Sequence, residues 1–142
     1  MDLRMQRFLM IGLMLCCCGC GRSDGLQRAA VGGKVTLDGV DVSEGTIAFY
    51  PSGGSKGPAV GGIIQDGQYA IAEEKGPAIG HARVEIHASK KTGRKMQMPM
   101  AGPGVMIDEI IEIIPKRYNT QSVLVAELDC GQNVFDCELT SK

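Results

Sequence analysis

From Ala30 to the C-terminus, apolar and polar residues alternate with a period of two, interrupted by turn residues every eight to twelve positions. Period two sends successive side chains to opposite faces of an extended chain, the pattern of strands buried on one side. Val31, Gly33, Val35 and Leu37 alternate with Gly32, Lys34 and Thr36, and Asp38-Gly39 turns the chain into Val40-Asp41-Val42. Glu44-Gly45 opens a strand over Thr46-Ile47-Ala48-Phe49-Tyr50, stopped by Pro51, and Ser52 to Pro58 reads as a glycine-rich loop. Ala59 to Gln65 and Gln68 to Ala72 flank Asp66-Gly67, the clearest hairpin signal, because a two-residue type I′ turn needs φ > 0 at both central positions. After the Lys75-Gly76-Pro77 turn, Ala78 to Ala88 forms a strand whose even positions Ala82, Val84, Ile86 and Ala88 face inward. Short strands at regular spacing predict an all-β sandwich.

Residues 89–104 read as a long loop, basic at first and then rich in methionine, proline and glycine. Loops of that length are commonly functional or unstructured. Val105 to Pro115 mixes two signals. Ile107, Ile110, Ile111 and Ile114 have helical spacing, but five isoleucines in a short segment closed by proline predict a short strand. Gln121 to Leu128, a turn over Asp129 to Asn133, and Val134 to Leu139 read as a closing hairpin. If Gly131-Gln132 is a two-residue turn, Cys130 faces Asn133 and Cys137 faces Ala126, too far apart for a disulfide, so both thiols are expected free.

The segment before Ala30 is of a different kind. Arg4 and Arg7 precede the apolar run Phe8 to Leu15, which Cys16-Cys17-Cys18 extend. That is the charged-then-apolar order of an export signal, and the run falls well short of the ~20 apolar residues a spanning helix needs. Four cysteines follow, at 16, 17, 18 and 20. They resemble a lipobox, the site at which bacterial lipoproteins accept a diacylglyceryl group. Cys20 has the small Gly19 before it but Cys17 where an aliphatic residue is usual. Cys18 has Leu15 at the aliphatic position but Cys17 where a small one is usual. Cys20 is the expected acceptor and Cys18 the alternative. The expected organisation is a signal peptide over 1–19, a lipidated cysteine and polar tether over 20–29, and one β-sandwich domain over 30–142. An acyl-anchored cysteine holds a domain on a membrane without crossing it.

Composition narrows the partners. The chain has 15 Lys and Arg against 16 Asp and Glu, net −1. Removing the segment before Cys20 takes away two arginines and one aspartate, so no basic excess remains for a phosphate backbone and nucleic acid is not an expected partner. With no Trp and three each of Tyr and Phe, an aromatic platform for sugars is also not expected.

Several segments resemble carboxypeptidase regulatory-like (transthyretin-like) domains: Val31-Gly32-Gly33-Lys34-Val35-Thr36-Leu37-Asp38-Gly39, then Gly45-Thr46-Ile47-Ala48-Phe49-Tyr50-Pro51, Asp66-Gly67-Gln68-Tyr69-Ala70-Ile71, and Gly76-Pro77 leading into Val84-Glu85-Ile86. The C-terminal Ile114-Pro115-Lys116-Arg117-Tyr118-Asn119-Thr120-Gln121-Ser122, with Asn133-Val134-Phe135-Asp136 after it, is similar to a group of small exported lipoproteins abundant in planctomycetes. The resemblance covers residues 30–141. It implies a seven-stranded prealbumin-like β-sandwich of Ig-like appearance and an exported, membrane-anchored protein, and it supplies little chemistry. One enzyme branch of the transthyretin fold, the hydroxyisourate hydrolases, carries a C-terminal Tyr-Arg-Gly-Ser, where this chain has Leu139-Thr140-Ser141-Lys142.

Three groups of residues carry candidate chemistry. His81, Glu85 and His87 share strand parity and form a candidate metal face, against the commoner role of a solvated sheet surface. Lys90, Lys91, Arg94 and Lys95 form a basic candidate binding segment, for anionic headgroups or an acidic envelope polymer. Tyr118-Asn119 is expected to pin a turn through side-chain to backbone hydrogen bonds. No nucleophile elbow, phosphate loop or zinc-protease helix occurs in the sequence, so no catalytic residue and no cofactor are expected. The leading expectation is a non-catalytic, membrane-anchored module that contacts an envelope protein or polymer. The alternative is a small-ligand or metal-binding module using the His81/Glu85/His87 face or residues 89–104.

Overall fold

The computed structural model describes residues 25–142. The segment 1–19 expected as a signal peptide, the expected lipid acceptor Cys20 with its alternative Cys18, and the first part of the expected tether lie outside the described residues. The described chain is all-β, with no α-helix. Its strands are β1 (Ala29–Leu37), β2 (Val40–Asp41), β3 (Glu44–Pro51), β4 (Val60–Gln65), β5 (Gln68–Ile71) and β6 (Gly80–His87). They continue as β7 (Ser89–Gln97), β8 (Met106–Glu112), β9 (Val125–Leu128), β10 (Gly131–Val134) and β11 (Cys137–Leu139).

The turn signals act as their chemistry demands. Asp38 and Gly39 have φ of 51° and 79°, and Asp66 and Gly67 have 50° and 74°, so each Asp-Gly pair makes the left-handed two-residue turn. The second joins β4 to β5, with Gln65 opposite Gln68. Along β6, Ala82, Val84, Ile86 and the following Ala88 are buried, as alternation requires.

The main sheet runs β10-β1-β5-β4-β3-β6-β9, with β2 and β11 also paired to β1. Its two end strands, β9 and β10, are separated in sequence only by Asp129 and Cys130. A connection that short joins the two edges of one sheet only if the sheet curls until they meet. The curl encloses one core of Val31, Val35, Ile47, Phe49, Ile64, Val84, Ile86 and Leu139. Phe49 lies at its centre, its ring 6.2 Å from Tyr69 and 6.4 Å from Phe135. Truncating such a fully buried ring costs ~3–5 kcal/mol.

Two expectations are corrected. The C-terminal segments do not form a closing hairpin. β9 pairs antiparallel with β6, and β10 and β11 run parallel to β1. Asn133 fixes that course: its side-chain amide donates to the Ala30 carbonyl at 3.1 Å and to the Asp129 carbonyl at 2.8 Å. β1 changes partner from β10 to β11 at Gly33-Lys34, where the Lys34 amide donates to Asp136 at 2.7 Å. A Cβ at Gly33 would overlap the Phe135 carbonyl, so this close crossing requires glycine. Cys130 and Cys137 are both free, but not for the register reason: Cys130 is exposed in the connection and Cys137 is buried on β11.

The second correction concerns residues 89–104. Most of this segment is β7, which pairs antiparallel with β8 to form a separate two-stranded ribbon. The tip is confined to residues 98–105. The short strand expected over 105–115 is present as Met106–Glu112. Opposite charge on the two strands and a register shift between Lys91 and Lys95 let a glycine-containing, strongly basic stretch pair.

Candidate interaction surface

β6 leaves the sandwich and, after Ala88, continues as β7. The ribbon therefore projects from one end of the domain. Leu37, Val42, Ser89, Lys90 and Ile113 line a single cleft, which puts the ribbon base at the far end of β1. The opposite end of β1 receives the N-terminal chain, where the Ala29 amide donates to the Pro77 carbonyl at 2.9 Å. Nine residues of β1 separate these poles, ~27 Å at strand rise.

Glu112 clamps the base. One carboxylate oxygen accepts from the backbone amides of Ala88 and Ile114, both at 3.0 Å, and the other lies 3.2 Å from His87 Nδ1. Sequence reasoning missed this residue. Its position between isoleucines carries no signal of a capping role, which depends on β6 and β8 meeting in space.

Of the predicted basic residues, Lys91 and Lys95 both reach Asp108, at 3.0 and 2.5 Å. These two ammonium groups hold the Asp108 carboxyl below its ordinary range. Arg94 pairs with Glu109 at 2.9 Å, and Thr92 also donates to Glu109. Lys90 lies opposite Ile111. The basic segment is therefore a strand largely neutralised by its acidic neighbour. What the ribbon leaves open is apolar: Met96, Met98, Val105, Met106, Ile107, Ile110 and Ile111 are all exposed, and Met100 at the tip is 97% exposed.

The candidate metal residues are not brought together. His81 and His87 lie six residues apart on β6, ~20 Å at strand rise. His81 packs beside Gly53 and its amide donates to Ser55 at 2.9 Å. Glu85 pairs with Arg83, and its second oxygen stands 3.9 Å from His87 Nε2. Among the described residues no group of three His, Cys, Asp or Glu could hold a metal ion.

Tyr118-Asn119 pins the chain between β8 and β9. The Asn119 side chain is buried, donates to the Ile114 carbonyl at 2.9 Å and accepts from the Thr120 amide at 2.5 Å. The two most strongly perturbed groups are made less reactive by their surroundings. Burial pushes the Tyr69 phenol well above its ordinary value and the Cys137 thiol up to about 12. Tyr69 instead donates to the Phe135 carbonyl at 2.7 Å, tying β5 to the crossing segment.

Comparison with family models, curated proteins and solved structures finds no match to this chain.

Proposed function

We propose that this chain is an exported lipoprotein, acylated at Cys20, whose β-sandwich is a non-catalytic interaction module at the cell envelope. In this reading the sandwich is of the seven-stranded prealbumin-like, carboxypeptidase regulatory-like kind. The early strand order, the Asp-Gly hairpin and the Gly-Pro turn into β6 support that assignment. The observation that carries the function is the β7–β8 ribbon, which exposes isoleucine and methionine at the pole opposite the N-terminal entry. Apolar residues concentrated on a projecting element mark a contact site more often than a solvated surface.

Placement also favours one class of partner. A tether of nine residues from Cys20 to Ala29 reaches ~30 Å at most, and it enters the domain a full strand length from the ribbon base. With the domain upright, the ribbon points away from the bilayer that holds the anchor. A protein or polymer in the envelope fits that direction better than headgroups beside the anchor. The paired state of Lys91, Arg94 and Lys95 favours the same conclusion, because little cationic charge is left over for anionic lipid.

Intact mass of the protein solubilised from the membranes of its own host tests the address. The expected mass corresponds to cleavage before Cys20 plus a diacylglyceryl group. An unlipidated chain in the soluble fraction would overturn the anchor and leave a freely diffusing binding domain.

A further inference from the structure

The ribbon has two unlike faces. Ser89, Lys91, Lys95, Gln97, Met106, Asp108, Ile110 and Glu112 share one by register, the face continuous with His87 and the outer surface of β6. The other continues the buried parity of β6. Ala88, whose carbonyl accepts from the Ile113 amide, ends the covered part, since Ile113 still packs against the core. Beyond that pair the same face carries Lys90 opposite Ile111, then Arg94 with Glu109, then Met96 opposite Ile107 and Met98 beside Val105. The core-facing side of the sheet thus runs on past the sandwich as a mixed face, and its exposed Ile111, Met96, Ile107 and Met98 are the kind of sheet surface that a second layer covers.

We propose that a second copy of this chain supplies that layer. The two ribbons pack face to face about a twofold axis running along them, so that β7 lies over β8 of the second copy. Charge selects this arrangement. On the packing face β7 carries Lys90 and Arg94 and β8 carries Glu109, while Lys91, Lys95, Asp108 and Glu112 lie on the opposite face. A twofold across the ribbon lays basic strand on basic strand and acidic on acidic. The lengthwise twofold sets Arg94 over Glu109 of the second copy, twice, and Met96 over its Ile107. It also leaves the two Ala29 ends on the same side. That last match rests on the lipoprotein reading, because two chains anchored in one bilayer enter from one side; the pairing itself does not depend on it.

The contact is small. Two strands ~4.8 Å apart and ~25 Å long present far less than the ~800 Å² per partner of a stable dimer. Association is accordingly weak in dilute solution and strengthened by confinement to a membrane.

The test uses the full-length chain in membranes, with a photoreactive phenylalanine analogue at Ile107. A covalent homodimer is expected there and none with the analogue at Ile63 on the main sheet, although Ile63 is the more open to solvent, 74% exposed against 38%. R94E or E109R alone lowers the homodimer yield about tenfold, since two exposed pairs per dimer turn from attraction to repulsion. Co-expressing R94E and E109R on differently tagged chains restores the mixed dimer, although the pair inside each ribbon stays mismatched. No homodimer at Ile107, a yield indifferent to both substitutions, or an adduct to another protein or to lipid overturns the proposal. Fractionation of the same sample reads the anchor separately. A soluble chain sinks the lipoprotein reading, and the charge-swap cross-link, repeated on the concentrated soluble chain, still decides the pairing.

Discussion

Replacing Asn119 by alanine removes the one buried amide or charged side chain among the described residues. Its amide is the donor to the Ile114 carbonyl, on a residue itself 3% exposed, so water does not readily take its place. Leaving a buried carbonyl without that donor costs ~1–3 kcal/mol. The Thr120 amide also loses its acceptor, but Thr120 is exposed and water recovers most of that bond. A total of ~1–3 kcal/mol lowers the melting temperature of a domain this size by about 4–12 °C. Thermal denaturation followed by circular dichroism reads this directly. Asn119→Asp sharpens the test. It keeps an acceptor for Thr120 but sets a carboxylate against the Ile114 carbonyl, which raises the folded-state pKa of that aspartate above its unfolded ~3.9. With the folded pKa the higher of the two, the variant is best off below pH ~4, where the protonated acid donates to Ile114, and loses stability as pH rises through the folded pKa. A melting temperature within ~2 °C of wild type for Asn119→Ala, or an Asn119→Asp variant whose deficit does not grow with pH, refutes the pinning role.

Alkylation with peptide mapping is expected to label exposed Cys130 rapidly and buried Cys137 only on unfolding; equal rates would contradict the β11 placement. Because burial raises the Cys137 thiol from its ordinary 9.0 to about 12, its contribution to stability is complete below pH 9 and fades as pH climbs toward 12, which urea titrations across that range measure. Gly76→Ala forces a Cβ into the Ala29 carbonyl oxygen, on backbone rather than a movable side chain, and is expected to leave little folded protein by circular dichroism. Asp108 is held below its ordinary pKa by Lys95 and Lys91, so its support of the ribbon is present above pH ~4 and lost as pH falls through its folded value. Hydrogen-exchange protection, corrected for the intrinsic rate at each pH, should therefore fall in acid more in β7 and β8 than in β3 and β6, and Asp108→Asn should remove that difference.

The strands of the sandwich were legible because their signals are local. Alternation over 31–37, 46–50 and 78–88 names the buried face, and Asp38-Gly39 and Asp66-Gly67 dictate their turns through backbone sterics alone. The role of Asn119 was legible for the same reason, since its partners lie within five residues. What failed depended on contacts distant in sequence. Residues 121–128 and 134–139 look like a hairpin because they are close in sequence and alternating, yet sheet curl gives one to β6 and the other to β1, and part of the expected turn becomes β10. The first half of the ribbon, 89–104, looked like a loop because lysines, glycine and prolines are poor strand formers by themselves. Its signal was the complement of Lys90 to Lys95 by Asp108, Glu109 and Glu112 around Gly102-Pro103-Gly104, a pattern that has meaning only once the two halves are aligned.

By itself, then, the sequence determined an all-β domain, its inward-facing residues and its tight turns, because period-two patterning and turn chemistry act within a few residues. Tertiary structure alone decided which strands share edges, that Glu112 fastens the ribbon, and that the core face continues uncovered beyond Ala88. Each of these is set by the curl of the sheet and by pairing between distant segments, and neither is encoded at any single position along the chain.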